Sequence, residues 1–196
     1  MNGLSDLLNL TRKNKALNMD SNKIIFLDLD GVIANFTKAV TNAFNIDYDT
    51  IEDNWIQGEY SIAPQIGKTE GEVWARLNKI ETFWEDIEVY PYANKMVKYL
   101  KSKYEVHVCT SPSSQPNCAT GKIKWLIKNR FGFGRNIIIT PNKHLFAGPN
   151  RVLIDDMNRN CDKFKEFGGE AILWGQVWNS GGKFDGDRLE YIKSVL

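Results

Sequence analysis

Histidine and cysteine are scarce in this 196-residue chain, with two of the first and three of the second. The cysteines, Cys109, Cys118 and Cys161, are odd in number and show no CxxC spacing. With only His107 and His144 to join them, a structural zinc site is excluded in practice. The same count predicts reduced, mostly buried thiols in a cytoplasmic protein rather than a disulfide framework. An excess of charge of one sign is also missing. Lys and Arg total 25 against 24 Asp and Glu, a formal charge of +1, which gives no electrostatic reason to expect long nucleic acid or an anionic membrane as partner. No apolar run approaches the ~18 residues of a membrane span. Repeats and low-complexity tracts are absent too.

What is present suits one globular domain with an insertion. Hydrophobic residues make up 42% of the chain, enough for a substantial core. Residues 1–22 show no secretory apolar segment, and Asp6 and Asp20 argue against a transit peptide, so they are expected to form a short appended helix or a mobile tail. Five apolar runs predict strands: Ile24–Leu27, Tyr104–Cys109, Asn136–Ile139, Arg151–Ile154 and Ala171–Trp174. Helical patterns fall between the later ones. Pro91 is expected in the first turn of YANKMVKYLKSK, KIKWLIKNRFG closes on Gly132, and Asn158–Phe167 ends before Gly168-Gly169. Alternating strands and helices predict an α/β fold, a parallel sheet with helices on both faces. The interval from strand one to strand two exceeds one crossover. Residues 37–90, with the patterns FTKAVTNAF and GEVWARLNKI, read as a small helical cap inserted after strand one, leaving 23–36 and 91–196 as the core domain. The aromatics of that segment, Trp55, Trp74, Phe83 and Trp84, serve equally well as the cap's own small core.

Each of the first four strands runs into polar residues. The first ends at Asp28-Leu29-Asp30, the second at Thr110-Ser111, the third leads to Lys143, and the fourth ends at Asp155-Asp156. Ligands of open parallel sheets bind beyond the carboxyl ends of the strands, so these groups converge on one crevice. Singly, Lys143 reads as a solvated loop lysine and Thr110 as a turn residue; in this order they suit phosphoryl transfer. Asp28 is placed to attack phosphorus, and Asp30 to protonate the leaving alcohol and then activate water. Mg²⁺ is the natural cation for such carboxylates, with Asp28, the Asp30 carbonyl and one of Asp155 and Asp156 as ligands. Thr110, Ser111 and Lys143 would hold phosphate oxygens and balance charge. A phospho-acceptor switch domain uses similar groups. There, however, the acidic pair follows the first strand and the phosphorylated Asp comes later, the reverse of the order here.

The segments DLDGVIANF, CTSP, ITPNKHLFAG and VLIDD together resemble the four motifs of the haloacid dehalogenase-like (HAD) phosphatases, and within them the 5′(3′)-deoxyribonucleotidases, over residues 23 to 180 or so. That resemblance implies a Rossmann-like HAD fold and a Mg²⁺-dependent phosphatase acting on deoxyribonucleoside monophosphates, a small-molecule nucleotide substrate. It implies Asp28 as nucleophile, Asp30 as acid and base, and a metal held by Asp28, the Asp30 carbonyl and Asp156 with Asp155 in support. Thr110 and Lys143 would contact phosphate. Phe36 falls where the family has an aromatic of the nucleoside pocket, and Trp55 and Trp74 lie where its cap aromatics stand. A polynucleotide 3′-phosphate or a sugar phosphate is the alternative ester. The preferred base, the 5′ or 3′ position and a homodimeric state stay open.

Overall fold

The computed structural model describes residues 22–56 and 58–196. The N-terminal extension expected over 1–22 therefore lies outside the described residues, except for Asn22. Five strands, β1 (Ile24–Leu27), β2 (Glu105–Thr110), β3 (Ile137–Ile139), β4 (Arg151–Asp155) and β5 (Glu170–Leu173), form one all-parallel sheet in the order β3-β2-β1-β4-β5. Each strand lies within one residue of its predicted position at either end. The chain runs outward from β1 to β3, then crosses back to β4 on the other side. The switch point thus falls between β1 and β4, where Leu27 pairs with Ile154 and the acidic ends of both strands emerge together.

Strand periodicity splits the core in two. Ile25 and Leu27 are fully buried in one cluster with Val106, Val108, Val152 and Ile154. Phe26 points the other way, into a second cluster with Cys109, Leu153 and Phe164. Helices α5 (Ala93–Lys103), α6 (Pro116–Lys128) and α8 (Arg188–Val195) bury residues in the first cluster, and α7 (Asn158–Glu166) places Phe164 in the second. All three cysteines are free and buried.

Between β1 and α5 lie four short helices, α1 (Phe36–Ala43), α2 (Tyr48–Asp53), α3 (Ile62–Gln65) and α4 (Glu70–Leu77), followed by a 3₁₀ turn at Phe83–Glu85. Short helices depend on their caps, and each here has one. Asn35, Asp47 and Ser61 accept from the first-turn amides of α1, α2 and α3, while Thr69 and Glu72 form a reciprocal capping box on α4. The segment leaves and re-enters at one place, because Ala34 bridges Val89 and Asn35 N donates to Glu88 O at 2.8 Å.

The inserted segment shares a core with the sheet: Val40, Ile62, Val73, Phe83 and Trp84 are buried in the same cluster as Ile25 and Leu27. Two sequence expectations need correction. Pro91 is not in the first turn of α5. It occupies a turn closed by Ala93 N donating to Tyr90 O at 2.9 Å, a position that suits its fixed φ. The helix with proline at its start is α6, which begins at Pro116, six residues before the expected Lys122.

Helix α6 packs on the 3₁₀ turn through Gly121. A Cβ built there would stand 2.5 Å from Trp84 Cβ. Glycine in a helix interior normally costs about 1 kcal/mol relative to alanine. Here the close approach reverses that preference, and Gly121→Ala is expected to destabilise the protein by ~1–3 kcal/mol through overpacking, measured by chemical denaturation. A stabilised variant would show that the α6–Trp84 contact is loose.

Candidate active site

The site grows from the turn that ends β1. Asp28 N donates to Ile154 O at 3.0 Å, which carries the strand pairing one residue past Leu27 and fixes Asp28 beside β4. The amides of Val32, Ile33 and Ala34 then all converge on Leu29 O, at 3.2, 2.9 and 2.8 Å. This tight turn needs Gly31 twice over. Its φ is +71°, and a Cβ there would collide with Asp156 Oδ2.

At the ends of β1 and β4, Asp28, Asp155 and Asp156 are 6%, 0% and 5% exposed, and each offers an oxygen within 4.8 Å of the others. Three carboxylates in so small a space repel one another. Lys143, itself buried, meets that charge, with Nζ 2.7 Å from Asp28 Oδ2 and 2.5 Å from Asp155 Oδ2. Burial alone would pull its pKa down, yet the two carboxylates carry it above the ordinary lysine value. Asp155 is the best satisfied of the three acids, since Met157 N donates to its Oδ1 at 2.9 Å and Asn160 Nδ2 at 3.1 Å. Burial still pushes it up to about 6, with Lys143 opposing. Among the described residues, Asp156 has only Trp178 Nε1 on its carboxylate, 2.7 Å from Oδ2. Its pKa is driven well above normal by burial first, then by the charges of Asp155 and Asp28.

Asp30 belongs to a second ion pair. Lys122 Nζ donates to Asp30 Oδ2 at 2.7 Å, to Thr110 Oγ1 at 2.8 Å and to Ser111 O at 2.6 Å. All three donors of this buried ammonium are used, which ties the acid of β1 to the end of β2. Burial raises the Asp30 pKa and Lys122 partly offsets the rise. The sequence reading passed over Lys122, although a signal was there. It lies on the stripe Cys118, Gly121, Lys122, Trp125, Leu126, the buried face of α6. A lysine on such a stripe must have a buried partner.

The predicted residues come together as follows. Asp28, Asp155, Asp156 and Lys143 form one cluster, and Asp30, Thr110 and Lys122 another. Asp28, Asp30, Ser111 and Asp156 line a single crevice. Lys143 is not the solvated loop lysine of the plainest reading, nor is Thr110, 1% exposed, a free turn residue. Phe36, Trp55 and Trp74 line an adjoining cavity with Tyr60 and Trp178, which the sequence reading did not single out. Phe36 and Trp74 have ring centroids 6.4 Å apart, and Trp55 and Trp178 5.4 Å apart. Asp30, Tyr60, Trp74 and Asp156 line both spaces, so crevice and cavity adjoin. An acidic, oxygen-only centre flanked by lysines therefore lies beside an aromatic-walled chamber.

Comparisons with known proteins agree with this geometry. Residues 22–184 match the family described as 5′ nucleotidase, deoxy (Pyrimidine), cytosolic type C. A Staphylococcus aureus protein named as a 5′(3′)-deoxyribonucleotidase is 27% identical over 178 residues, covering 88% of this chain and 91% of its own. The 5′(3′)-deoxyribonucleotidase of Bacillus subtilis is 25% identical over 148 residues, with coverage of 73% and 81%. Among solved structures, a magnesium-bound HAD-hydrolase of Bacillus subtilis superposes with a TM-score of 0.56 at 16% identity, covering 89% of this chain and 98% of that one. A haloacid dehalogenase-like hydrolase of Xanthomonas campestris gives the same TM-score at 12% identity, with coverage of 88% and 90%. At those identities the two structures speak for the fold alone. The match over residues 22–184 places the chain in the 5′ nucleotidase, deoxy (pyrimidine), cytosolic type C family, on a HAD-hydrolase fold.

Proposed function

We propose that the protein hydrolyses deoxyribonucleoside 5′-monophosphates with Mg²⁺ bound, through an aspartyl-phosphate on Asp28. The observation that supports this reading is that the carboxylate crevice and the aromatic cavity adjoin, sharing Asp30, Tyr60, Trp74 and Asp156. One space suits the phosphate, and the other suits a flat base. Residues 37–90 act as a cap that supplies Phe36-facing Trp74 and Trp55 to the second space. Among the described residues no helix is long and apolar enough to cross a membrane. We place the enzyme in the cytoplasm, in keeping with its free thiols.

The residues present fit Mg²⁺. Asp28, Asp155 and Asp156 offer a hard, all-oxygen donor set, and the single ammonium of Lys143 leaves their negative charge uncompensated. Asp28 and Asp156, with the Asp30 carbonyl, would hold the ion, and Asp155, already engaged by Lys143 and Asn160, would support them. When bound, the ion neutralises phosphate charge and lets an anionic nucleophile approach an anionic ester.

The side chains then divide the work. Asp28 Oδ attacks phosphorus while the bond to the 5′ oxygen breaks, and the Asp30 carboxyl gives its proton to that departing oxygen. Asp30, now a carboxylate, takes a proton from water as that water attacks phosphorus, and Asp28 leaves with inorganic phosphate released. Burial favours the protonated form of Asp30 needed first, and Lys122 keeps its carboxylate accessible for the second step. The Thr110 hydroxyl and Ser111 at the end of β2, together with Lys143, hold the phosphoryl oxygens.

Folded Asp28→Asn should release no phosphate from thymidine or deoxyuridine monophosphate, whereas Asp30→Asn should slow release by ~10²–10⁴-fold. Substantial turnover by Asp28→Asn would remove the nucleophile assignment. Asp156→Asn should raise the melting temperature of metal-free protein, because it relieves repulsion from Asp28 and Asp155, while increasing the Mg²⁺ concentration needed for half-maximal activity. Thermal melts with EDTA and a Mg²⁺ titration check both halves. Lys122→Met removes the cation that holds the Asp30 pKa down. The alkaline limb of kcat/KM should therefore move to higher pH, and an unshifted limb in the folded variant would separate Lys122 from the proton transfer.

A further inference from the structure

Lys143 holds Asp28 and Asp155, but Asp156 forms no ion pair among the described residues. Its carboxylate is met instead by a buried tryptophan. Trp178, 6% exposed, donates from Nε1 to Asp156 Oδ2 at 2.7 Å. The loop that carries it is fastened to both acid-bearing turns. Gln176 Nε2 donates to Gly31 O at 2.5 Å, and Asn179 Nδ2 donates to Asp156 O at 2.7 Å and to Trp174 O at 2.8 Å. Trp174 N in turn donates to Asp155 O at 2.8 Å, which carries the pairing of β5 with β4 past Leu173. A Cβ on Gly31 would collide with Asp156 Oδ2, so the β1 turn crowds the same oxygen that the indole holds. Among the described residues no donor reaches Oδ1.

A buried indole N–H needs an acceptor, and a backbone carbonyl would serve. Here it takes an oxygen of an acid that would bind the ion. A carboxylate turns readily about its last bond unless a donor fixes it, and a metal ligand depends on such outer partners for its aim. We propose that Trp178 is the positioning residue of Asp156: its N–H fixes the carboxylate through Oδ2 and leaves Oδ1 open to Mg²⁺. This rests on the Mg²⁺ reading above. The same side chain also lines the aromatic chamber, its ring centroid 5.4 Å from that of Trp55, so its donor and its bulk have to be tested apart.

Two substitutions separate them. Trp178→Phe keeps an aromatic ring without an N–H. Trp178→His gives up the benzene half of the indole, but its imidazole superposes on the pyrrole ring with Nε2 where Nε1 stands. Mg²⁺ binding to each folded protein is measured by isothermal titration calorimetry without nucleotide, beside melting curves in EDTA. Trp178→Phe should weaken Mg²⁺ binding by about 10–100-fold, the usual scale for losing a partner of a metal ligand. Trp178→His should bind Mg²⁺ much as wild type does, although it loses more packing and melts lower. If folded Trp178→Phe binds Mg²⁺ as wild type does, or if both variants lose affinity equally, Trp178 only packs, while the metal reading stands. If either variant fails to fold, the wild type carries the test. Its Trp178 indole N–H resonance should shift when Mg²⁺ engages Asp156, and a resonance that stays in place overturns the proposal. If wild type binds no Mg²⁺, the metal reading fails and this inference falls with it.

Discussion

Everything at the carboxyl end of the sheet answers to one electrostatic constraint: three buried carboxylates share a space in which their oxygens lie within 4.8 Å of one another. Unpaired, such a cluster would be too costly to ionise. Lys143 makes it tolerable by bonding Asp28 and Asp155 at once. One ammonium cannot balance three carboxylates, and burial first, then the neighbouring carboxylates, raises the pKa values of Asp155 and Asp156. The fold thus stores negative charge at the point where the proposed divalent cation would be drawn in. Stability is given up locally, as is common where a site is preorganised.

A second lysine solves a different problem with the same means. Lys122 reaches from the middle of α6 across the end of β2 to Asp30, and it gets there only because Gly121 lets α6 approach Trp84 closely. Trp125, one turn further along the same buried stripe, donates from Nε1 to Ile87 O at 2.6 Å and anchors the helix where the inserted segment returns to the core. Packing between α6 and that segment therefore sets the position of the ammonium that holds Asp30, the proposed acid and base. Gly31 plays the matching part on the other side, where only hydrogen fits against Asp156.

The aromatic chamber depends on the inserted segment sharing its core with the sheet. Val40, Ile62 and Val73 are buried in the cluster that contains Ile25 and Leu27, so α1, α3 and α4 are held against the β1 turn. Phe36, Trp74 and Trp55 are left half-buried, packed on that cluster with faces toward the cavity. Trp178 closes the arrangement from the loop after β5, its ring tilted against Trp55 while its Nε1 donates to Asp156. One side chain thereby joins the chamber wall to the acidic centre.

The strands were legible because runs of three or four apolar residues, or an alternating run in β2, bounded by polar ones leave few other local solutions, and their parallel order followed from the helices between them. The acids at the ends of β1 and β4 were legible for the same reason, since a carboxylate that ends a buried run must find a partner. Local sequence was less reliable at helix starts. Pro91 and Pro116 look alike as helix openers, and only the hydrogen bond from Ala93 N to Tyr90 O assigns the first to a turn. Lys122 was half legible, a charge on an apolar stripe whose partner, Asp30, lies 92 residues away. Trp178 gave no local signal at all, because a tryptophan in a glycine-rich loop is ordinary there. Sequence alone determined which segments are buried and which carboxylates end them, since periodicity and desolvation act over a few residues. Tertiary structure decided which ammonium faces which acid and which side chains wall the chamber, because those contacts join residues that only the folded chain brings together.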